Sequence, residues 1–413
     1  MKKYTIPAMI LLAAIVIFPA CENNDPVPDE PNTIELTKKS AEIIEADQLF
    51  GFELFKEVMS LSQEENIMIS PLSVSYALGM TLNGAAGTTL DAFREVLHFT
   101  ELTDQEVNES YKDLMNQLIH LDDRVKFAIA NSIWYKEGYP VLNEFIQTNQ
   151  DYFDAAVEEL DFSDPASVDI INGWIEEKTN DKIKDMLDFI PPDAVMYLVN
   201  AIYFNAKWKY QFDPEDTYTG TFNLEEGGTW ETDFMKIKGA FNYTVNDLFT
   251  AVELPYGDSS FSMVVMLPSG DLTPADLVEE MDMARWEAWF GTPSVQNVMI
   301  ELPKFTYGWK DLLNEPLINL GLGIAFSGGA DFSRITTGAG LYISRVIHQT
   351  FIDVQEEGTE AAAATIVELR EISIPEEPLF RADRPFLYLI KENSTGAILF
   401  MGKVGKPEYE KED

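Results

Sequence analysis

Apolar residues recur at helical spacing in some segments of the chain and in short strand-like runs in others. Residues 42–61 carry apolar side chains at helical spacing, and residues 143–153 predict a second helix with mixed faces. Apolar residues dominate 127–135 and 198–208, so both segments are predicted to be buried strands. The pattern therefore predicts a chain that contains both helices and strands.

Turn and cap residues place further elements. Residues 252–256 and 261–268 flank a Gly-Asp-Ser turn and predict a β-hairpin. A short apolar strand at 66–69 runs into Ser70 and Pro71, a serine cap and a proline that suits the first turn of a helix. The helix that follows is apolar on most faces, so we expect it to be buried.

One decamer combines an acidic start, a single glycine and a run of small residues. It consists of Glu356, Glu357, Gly358, Thr359, Glu360, Ala361, Ala362, Ala363, Ala364 and Thr365. From Thr359 to Arg370 the odd-numbered positions are uncharged and all charges fall on even-numbered positions, which is the alternation of a strand with one buried face. Alanine, however, favours helix over strand. The segment is typical of one that is exposed in one state and a sheet strand in another; an alanine-rich helix or linker is the alternative.

The first residues have the pattern of a secretory signal. Lys2 and Lys3 precede an apolar run at 6–18, which is too short to span a bilayer comfortably. Cys21, the single cysteine, follows this run, and its position resembles the lipidation site of a bacterial lipoprotein, although the residues just before it depart from the usual pattern. We therefore expect a signal peptide at 1–20, lipidation at Cys21, and secretion to the cell envelope or the exterior; secretion without lipid is the alternative.

The rest of the chain is predicted to be a tether followed by one domain. Residues 21–37 are rich in Asp, Asn, Glu and Pro and predict a disordered tether. Residues 38–408 contain no second linker and no repeat, and 409–413 form a short acidic tail. Because the chain has one cysteine, the domain has no internal disulfide, and its stability must come from its core.

Charge and missing motifs exclude several classes of function. The chain has 29 Lys and Arg against 70 Asp and Glu, a net charge of −41, which repels nucleic acid and glycosaminoglycans and attracts cationic proteins. Solubility or adaptation to salt is the alternative explanation of this charge. Three histidines and one cysteine leave few metal clusters, and the Gly-x-Ser-x-Gly, His-Glu-x-x-His and P-loop motifs are missing. We therefore expect no enzyme activity, no metal and no cofactor.

A series of ordered blocks is similar to the serpins, a family of suicide protease inhibitors. The order matters because each block alone is weak. The blocks span residues 66–89, 170–183, 198–208, 252–268, 299–305, 322–333, 356–365, 380–390 and 398–404. In this resemblance the decamer 356–365 is the hinge of the reactive loop, which spans 356–379.

The resemblance implies a fold and a set of structural sites. The fold is a mixed α/β domain of the α+β multi-domain type, with a large central β-sheet, surrounding helices and an exposed reactive-centre loop. Ser70 and Ser73 belong to the shutter under the sheet, and Trp208 marks the breach where the loop enters it. Asn200 is expected to form a hydrogen bond with His348, since a polar residue in a buried strand needs a partner.

The resemblance also implies the mechanism and the partners. A serine protease, or a cysteine protease, cleaves the loop, forms an acyl-enzyme and is trapped when the loop inserts into the sheet. The family's usual loop length places the attacked bond at Ile372–Ser373, with Arg370–Glu371 as the rival. Isoleucine suits elastase-like or subtilisin-like proteases, including cationic ones, and arginine suits trypsin-like enzymes.

Two other functions remain open at this point. A non-inhibitory serpin, such as a carrier or chaperone, would share the core blocks, and a surface lipoprotein that binds glycan or peptide would share only the signal and tether. The absence of charge and proline on the inserting face before Glu371 favours an inhibitor. We expect a monomer that contacts a membrane only through its lipid.

Overall fold

The computed structural model describes residues 31–292, 294–338, 340–359 and 377–409, apart from the side chains of 128, 130, 201 and 359. Helices of the described residues are α1 (Lys38–Leu61), α2 (Pro71–Leu82), α3 (Gly87–Val96), α4 (Asp104–Ile119), α5 (Asn143–Phe153), α6 (Ala166–Lys178), α7 (Pro274–Glu279), α8 (Met283–Phe290) and α9 (Asn314–Asn319). Within these ranges no helix combines the length and the apolar character needed to cross a bilayer.

The strands alternate with these helices along the chain. They are β1 (Asn66–Ile69), β2 (Val125–Lys136), β3 (Ala156–Leu160), β4 (Met196–Lys207), β5 (Tyr218–Asn223), β6 (Thr229–Val245), β7 (Phe249–Tyr256), β8 (Phe261–Pro268), β9 (Val295–Pro303), β10 (Phe305–Leu312), β11 (Ile347–Val354), β12 (Gly358–Thr359), β13 (Leu379–Arg381), β14 (Phe386–Glu392) and β15 (Ile398–Val404).

The largest sheet contains nine strands and forms much of the core. Its order is β1-β15-β14-β8-β7-β6-β9-β13, with β5 paired to β6. The predicted hairpin is confirmed, because Tyr256 pairs with Phe261 across the turn between β7 and β8. Every residue of β8 is buried, which is why its sequence is an almost unbroken apolar run.

The predicted central sheet is present in two sections. One section has the order β12-β4-β2-β3, and the other is the antiparallel pair β10-β11. Within the described residues, β4 and β11 are not hydrogen-bonded to each other. We call the space between β4 and residues 340–354 the sheet gap.

Two helices cover the four-stranded section, one on each face. Helix α2 packs under β4, and the predicted cap is confirmed: the Ser70 hydroxyl accepts a hydrogen bond from the Ser73 backbone N–H at 3.3 Å. Helix α6 covers the other face, where Ile171 and Ile175 pack with Val199 of β4. Helix α2 therefore lies on one face of the sheet beside β4, and helix α6 lies on the other face.

One block of the resemblance is only partly helical, and one predicted boundary is wrong. The block at 170–183 is helical as far as Lys178, and Asn180 and Asp181 then take up left-handed backbone angles, with φ of 50° and 62°. The tether was expected to reach residue 37, yet Ile34 is only 7% exposed and its backbone N–H donates to Ser394 Oγ at 2.9 Å. An apolar side chain inside a polar segment was enough to bind this part of the chain to the domain.

Candidate functional site

A tight turn joins β11 to β12 at the top of the sheet gap. Alternate residues of β11 are buried, as the sequence alternation predicts. At its end the N–H of Gln355 donates to the carbonyl of Gly358 at 3.1 Å, and the N–H of Gly358 donates to the carbonyl of Gln355 at 3.2 Å. Glu356 and Glu357 are the two residues between them, so the chain reverses in a two-residue hairpin. We call Gln355–Gly358 the hinge turn.

Gly358 is required by the close approach of the turn to β4. Its φ of +141° lies in a region that L side chains rarely adopt. A Cβ at this position would lie 2.5 Å from Lys207 Cα and 2.8 Å from Trp208 N. No side chain fits there unless the turn moves away from β4.

Glu356 fastens the hinge turn to the body of the domain. One carboxylate oxygen lies 2.9 Å from the ammonium of Lys304, and the other accepts a hydrogen bond from the Thr217 hydroxyl at 2.9 Å. The residue is 8% exposed. Although burial opposes ionisation, the hydrogen bonds from Lys304 and Thr217 hold the pKa of Glu356 below its usual value.

Trp208 holds the backbone of the same turn. Its indole N–H donates to the carbonyl of Gln355 at 2.9 Å, and its backbone N–H donates to the carbonyl of Glu357 at 3.0 Å. The indole is stacked on Tyr256 with ring centroids 4.3 Å apart. The tryptophan expected at the breach therefore lies directly against the hinge turn.

Tyr409 also contacts this turn, which shortens the predicted tail. Its hydroxyl donates to Gln355 Oε1 at 3.1 Å, and its ring lies 4.1 Å from the ammonium of Lys304. Tyr409 therefore packs on the domain, although the sequence placed it in the acidic tail. Its aromatic ring gains a cation–π attraction by covering the Lys304 ammonium.

The polar residues expected at the shutter form two separate sets of hydrogen bonds. His348 Nε2 accepts from the backbone N–H of Ser70 at 3.0 Å, and the Ser70 hydroxyl donates to the carbonyl of Leu399 at 2.7 Å. The Ser73 hydroxyl donates to Asn200 Oδ1 in the second set. The two sets meet only at the start of α2.

The expected hydrogen bond between Asn200 and His348 is not formed in the described part of the chain. Asn200 Nδ2 donates instead to Asn131 Oδ1 at 2.7 Å, and Asn131 Nδ2 donates to the carbonyl of Phe153 at 2.7 Å. Asn131 was missed from the sequence, although it is a polar residue in a buried strand and signals the same need for a partner.

His348 is buried and neutral. Burial lowers its pKa to about 4. Because Nε2 accepts a hydrogen bond from Ser70, the ring proton is on Nδ1. Among the described residues Nδ1 has no hydrogen-bond partner.

A cavity of about 360 Å³ occupies the lower part of the sheet gap. We call it the lower cavity. It is lined by α2, by residues 186–200, which include the start of β4, and by residues 340–348. His348, Ser73 and Asn200 all border it. The sheet gap is thus closed at the top by the hinge turn and open below.

Several predicted sites lie outside the described residues. These are Glu360 to Thr365 of the hinge, both candidate bonds, Ile372–Ser373 and Arg370–Glu371, and the lipidation residue Cys21. In the described ranges, no group of three or more His, Cys, Asp or Glu side chains could hold a metal ion.

Comparisons with known proteins agree with this geometry. A family model described as serpin (serine protease inhibitor) matches residues 45–407. A serpin-like protein of Methanosarcina acetivorans is 36% identical over 428 residues, which cover 99% of this chain and all of that protein. Human neuroserpin is 32% identical over 367 residues, which cover 86% of this chain and 89% of neuroserpin.

Solved structures show the same fold. The thermophilic serpin tengpin in its native state matches with a TM-score of 0.82 and 32% identity, over 92% of this chain and 98% of tengpin. Human thyroxine-binding globulin, solved with its hormone thyroxine, matches with a TM-score of 0.82 and 27% identity, over 90% and 100% of the two chains. The predicted fold class is confirmed, and serpins are in general protease inhibitors rather than enzymes. The chain belongs to the serpin family.

Proposed function

We propose that this chain is a suicide inhibitor of serine endopeptidases that inserts its cleaved loop into the sheet gap. The observation that carries the proposal is the pairing of Gly358 and Thr359 with β4. The hinge turn has already reversed the chain, so the residues after Thr359 need only continue downward between β4 and β11. Strand addition would give the unpaired edges on both sides new backbone hydrogen bonds.

The register of β12 supports this path. Thr359 lies opposite Ala206, and residues opposite each other in an antiparallel pair share a face. If the inserted strand continued this register, the pairs would be Ala361 with Phe204, Ala363 with Ile202, Thr365 with Asn200, Val367 with Leu198 and Leu369 with Met196. Phe204 and Ile202 are already buried, which leaves little room opposite them, and both loop residues there are alanines.

On insertion, the larger loop residues Val367 and Leu369 would reach the lower cavity. Met196 and Leu198 line the lower cavity. The register places Leu369 and Val367 opposite them, and these side chains are bulkier than the alanines that precede them. Filling the cavity buries apolar surface at about 25 cal/mol per Å², which would help to drive insertion.

We place the attacked bond at Ile372–Ser373, with Arg370–Glu371 as the rival. The first bond directs the inhibitor at elastase-like or subtilisin-like proteases, and the rival at trypsin-like ones. Both bonds follow the segment that would fill the lower cavity, so cleavage at either leaves Val367 and Leu369 free to insert.

One experiment tests the function and the bond together. The secreted form is mixed with pancreatic elastase, neutrophil elastase, subtilisin or trypsin, and each mixture is run on a denaturing gel. We expect a covalent adduct with an elastase or subtilisin, and mass spectrometry of the released peptide to begin at Ser373. Cleavage without any adduct, and without a rise in thermal stability of the cleaved protein, would contradict the proposal.

A carrier is the second candidate, because a match of equal TM-score is a hormone-binding globulin. A carrier has no need to trap a protease. If all four proteases cleave the loop without an adduct while cleavage still raises thermal stability, the loop inserts but too slowly to trap these enzymes. That result would favour the carrier.

We further propose that Cys21 is lipidated and anchors the protein to the bacterial cell envelope. The support is the basic start, the short apolar run and the position of the cysteine. The test is partition of the mature protein into detergent, compared with that of Cys21→Ser. If both proteins stayed in the aqueous phase, Cys21 would not be lipidated, and secretion without a lipid would be the remaining explanation.

A further inference from the structure

The lower cavity has the features of a small-molecule site. We propose that it binds a small apolar carboxylate bearing a second oxygen acceptor, and that this guest controls insertion by occupying the path of the strand. The control of insertion rests on the proposed function; the binding does not. Its volume of about 360 Å³ lies at the small end of the range for ligand sites.

The lining is mostly apolar, so the main part of the bound molecule should be apolar too. Val74, Leu78, Leu198 and Phe332 contribute side chains from α2, from β4 and from the segment after α9. Such walls favour a hydrocarbon chain over a sugar or a nucleotide. The lining also contains hydroxyl and amide side chains, and its one histidine and one arginine, His348 and Arg345, offer the strongest contacts for an oxygen-bearing guest.

His348 supplies one polar contact at the inner end. It lines the cavity, is 5% exposed, and its Nδ1–H has no partner in the described residues. This nitrogen is not among the fully buried unpaired atoms of the described residues, so it is reached from the cavity. A hydroxyl or carbonyl oxygen on the guest would accept this hydrogen bond.

Arg345 supplies the cationic contact of the lining. It lines the same cavity but is exposed, so it lies where the cavity opens to solvent. Its guanidinium lies 4.7 Å from the ring centroid of Phe189, and it forms no ion pair with another described residue. A carboxylate on the guest would form an ion pair with the Arg345 guanidinium.

These two contacts lie on opposite sides of the sheet. Arg345 and His348 are three residues apart, at most about 10 Å along the backbone. Arg345 lies against Phe189, whereas His348 faces Ser70 at the start of α2. A molecule that reaches both must pass between β4 and residues 340–348. It would then occupy the position that the inserted strand needs.

Asp193 is the acidic residue of the lining, and it opposes a carboxylate. It is exposed and forms no ion pair with Arg345. Removing its charge should strengthen binding of an anionic guest. Asp193→Asn is therefore a variant with the opposite expected sign to Arg345→Gln.

The binding test uses three probes with one hydrocarbon body: decanoate, ω-hydroxydecanoate and decyltrimethylammonium. Titration calorimetry on the uncleaved protein should give one site, with decanoate binding about tenfold tighter than the cation and the hydroxy acid tighter still. Adventitious binding to so acidic a protein would favour the cation. Equal or tighter binding of the cation, or no binding of decanoate, would overturn the site.

Variants locate the site. Arg345→Gln should lower the affinity for decanoate about tenfold and remove the preference over the cation, whereas Arg285→Gln on α8 should change neither. Ala77→Phe, which fills the cavity, should abolish binding. If Ala77→Phe is unstable, Arg345→Gln decides the question, because it alters an exposed side chain. Unchanged affinity in Arg345→Gln would overturn the assignment.

A second assay tests the control of insertion. Saturating ω-hydroxydecanoate is added before the protease that gives an adduct, and the fraction of serpin cleaved without an adduct should rise at least about fivefold. An unchanged fraction would overturn the regulatory role even if binding is confirmed. If no protease gives an adduct, the proposed function has failed, and the calorimetry still decides the site.

Discussion

The two ends of the sheet gap are built differently. At the top, the hinge turn is fixed by an ion pair between Glu356 and Lys304 and by two hydrogen bonds from Trp208, and Gly358 touches β4 so closely that no side chain fits. At the bottom lie a cavity of about 360 Å³ and His348, whose Nε2 accepts a hydrogen bond from Ser70. The upper end is held by several defined contacts, whereas the lower end is loosely packed.

This difference separates the start of insertion from its driving force. The upper contacts determine where a strand begins and in which register, because Thr359 is already placed opposite Ala206. The lower end determines how much is gained, since cavities forfeit packing and a strand would restore it. Changes to the loop just below the hinge turn should therefore alter whether insertion begins, and filling or emptying the lower cavity should alter how much free energy insertion releases.

The largest expected effect is that of a charge on the inserting face just below the hinge turn. Ala361→Glu would place a carboxylate opposite Phe204, which is 7% exposed. Burying an unpaired charge costs several kcal/mol, so insertion should slow at least about 100-fold and the protease should escape. The measurement is the number of inhibitor molecules consumed per protease trapped.

Its matched control is Ala362→Glu, one residue away. In the same register that side chain falls opposite Tyr203 on the other face; Tyr203 is also buried, and the two variants differ because this face already has Glu360 and Glu368 in the loop. We expect near-normal trapping by this variant. Equal loss of trapping in both variants would show that the register read from β12 does not continue down the gap.

The second effect concerns the ion pair at the top. Lys304→Met leaves the buried Glu356 carboxylate without its cation and should destabilise the native state by about 3 kcal/mol at pH 7, measured by urea unfolding. The pKa of Glu356 is lowered, so its contribution is present above the ordinary pKa of about 4.3 and is lost as the pH falls through the lowered value. The deficit of the variant should therefore shrink at acid pH.

Lys406→Met is the comparison for this loss, because Lys406 pairs with the more exposed Glu408. A surface pair contributes at most about 1 kcal/mol, so this variant should stay near wild type. If the two variants unfold at the same urea concentration, the contact between Lys304 and Glu356 does not stabilise the hinge turn.

The sequence predicts the upper end better than the lower. Gly358 lies in a tight turn and Trp208 lies against it, and both positions depend on backbone geometry and on the place of a motif in the chain. Asn200 shows the limit: its burial predicts a partner, but only side-chain packing decides that the partner is Asn131 rather than His348. The alternation of β11 likewise predicts one buried face without saying which strand lies beside it.

A cavity leaves even less trace in a sequence. Met196 and Leu198 read as ordinary strand residues, and the room beside them arises because β4 and residues 340–348 stand apart. That separation depends on the whole fold and on no local pattern. The same holds for Ile34, whose contact with Ser394 crosses most of the chain.

The third effect tests the lower end through pH. The pKa of His348 is lowered to about 4 in the folded protein, against about 6.5 in the unfolded chain. As the pH falls from 6.5 towards 4, the unfolded chain binds a proton that the folded protein does not, and the folded state loses stability. Wild type should lose about 2 kcal/mol relative to His348→Gln between pH 7 and pH 5. Glutamine can still accept from the Ser70 N–H, so the comparison isolates the titration. Parallel stability curves for the two proteins would show that His348 is not held neutral.

Asp47 in α1 acts in the opposite direction and provides the control. Burial raises the pKa of its carboxyl to about 7, against the hydrogen bond from Tyr111, so its contribution to stability is present at low pH and is lost as the pH rises towards 7. Asp47→Asn should remove the loss of stability as the pH rises towards 7. The loss of stability that His348 causes as the pH falls should remain. Together the variants separate two titrations that partly cancel in the wild type.

The smallest effect on trapping should come from the overall charge, which favours neither end of the gap. With a net charge of −41 the protein should associate faster with a cationic elastase at low salt, and the association rate constant should fall about tenfold or more as salt is raised. The number of inhibitor molecules consumed per protease should stay constant, because partition is decided after the loop is cut. A rate unaffected by salt would remove electrostatic steering, and a salt-dependent stoichiometry would mean that charge acts on insertion itself.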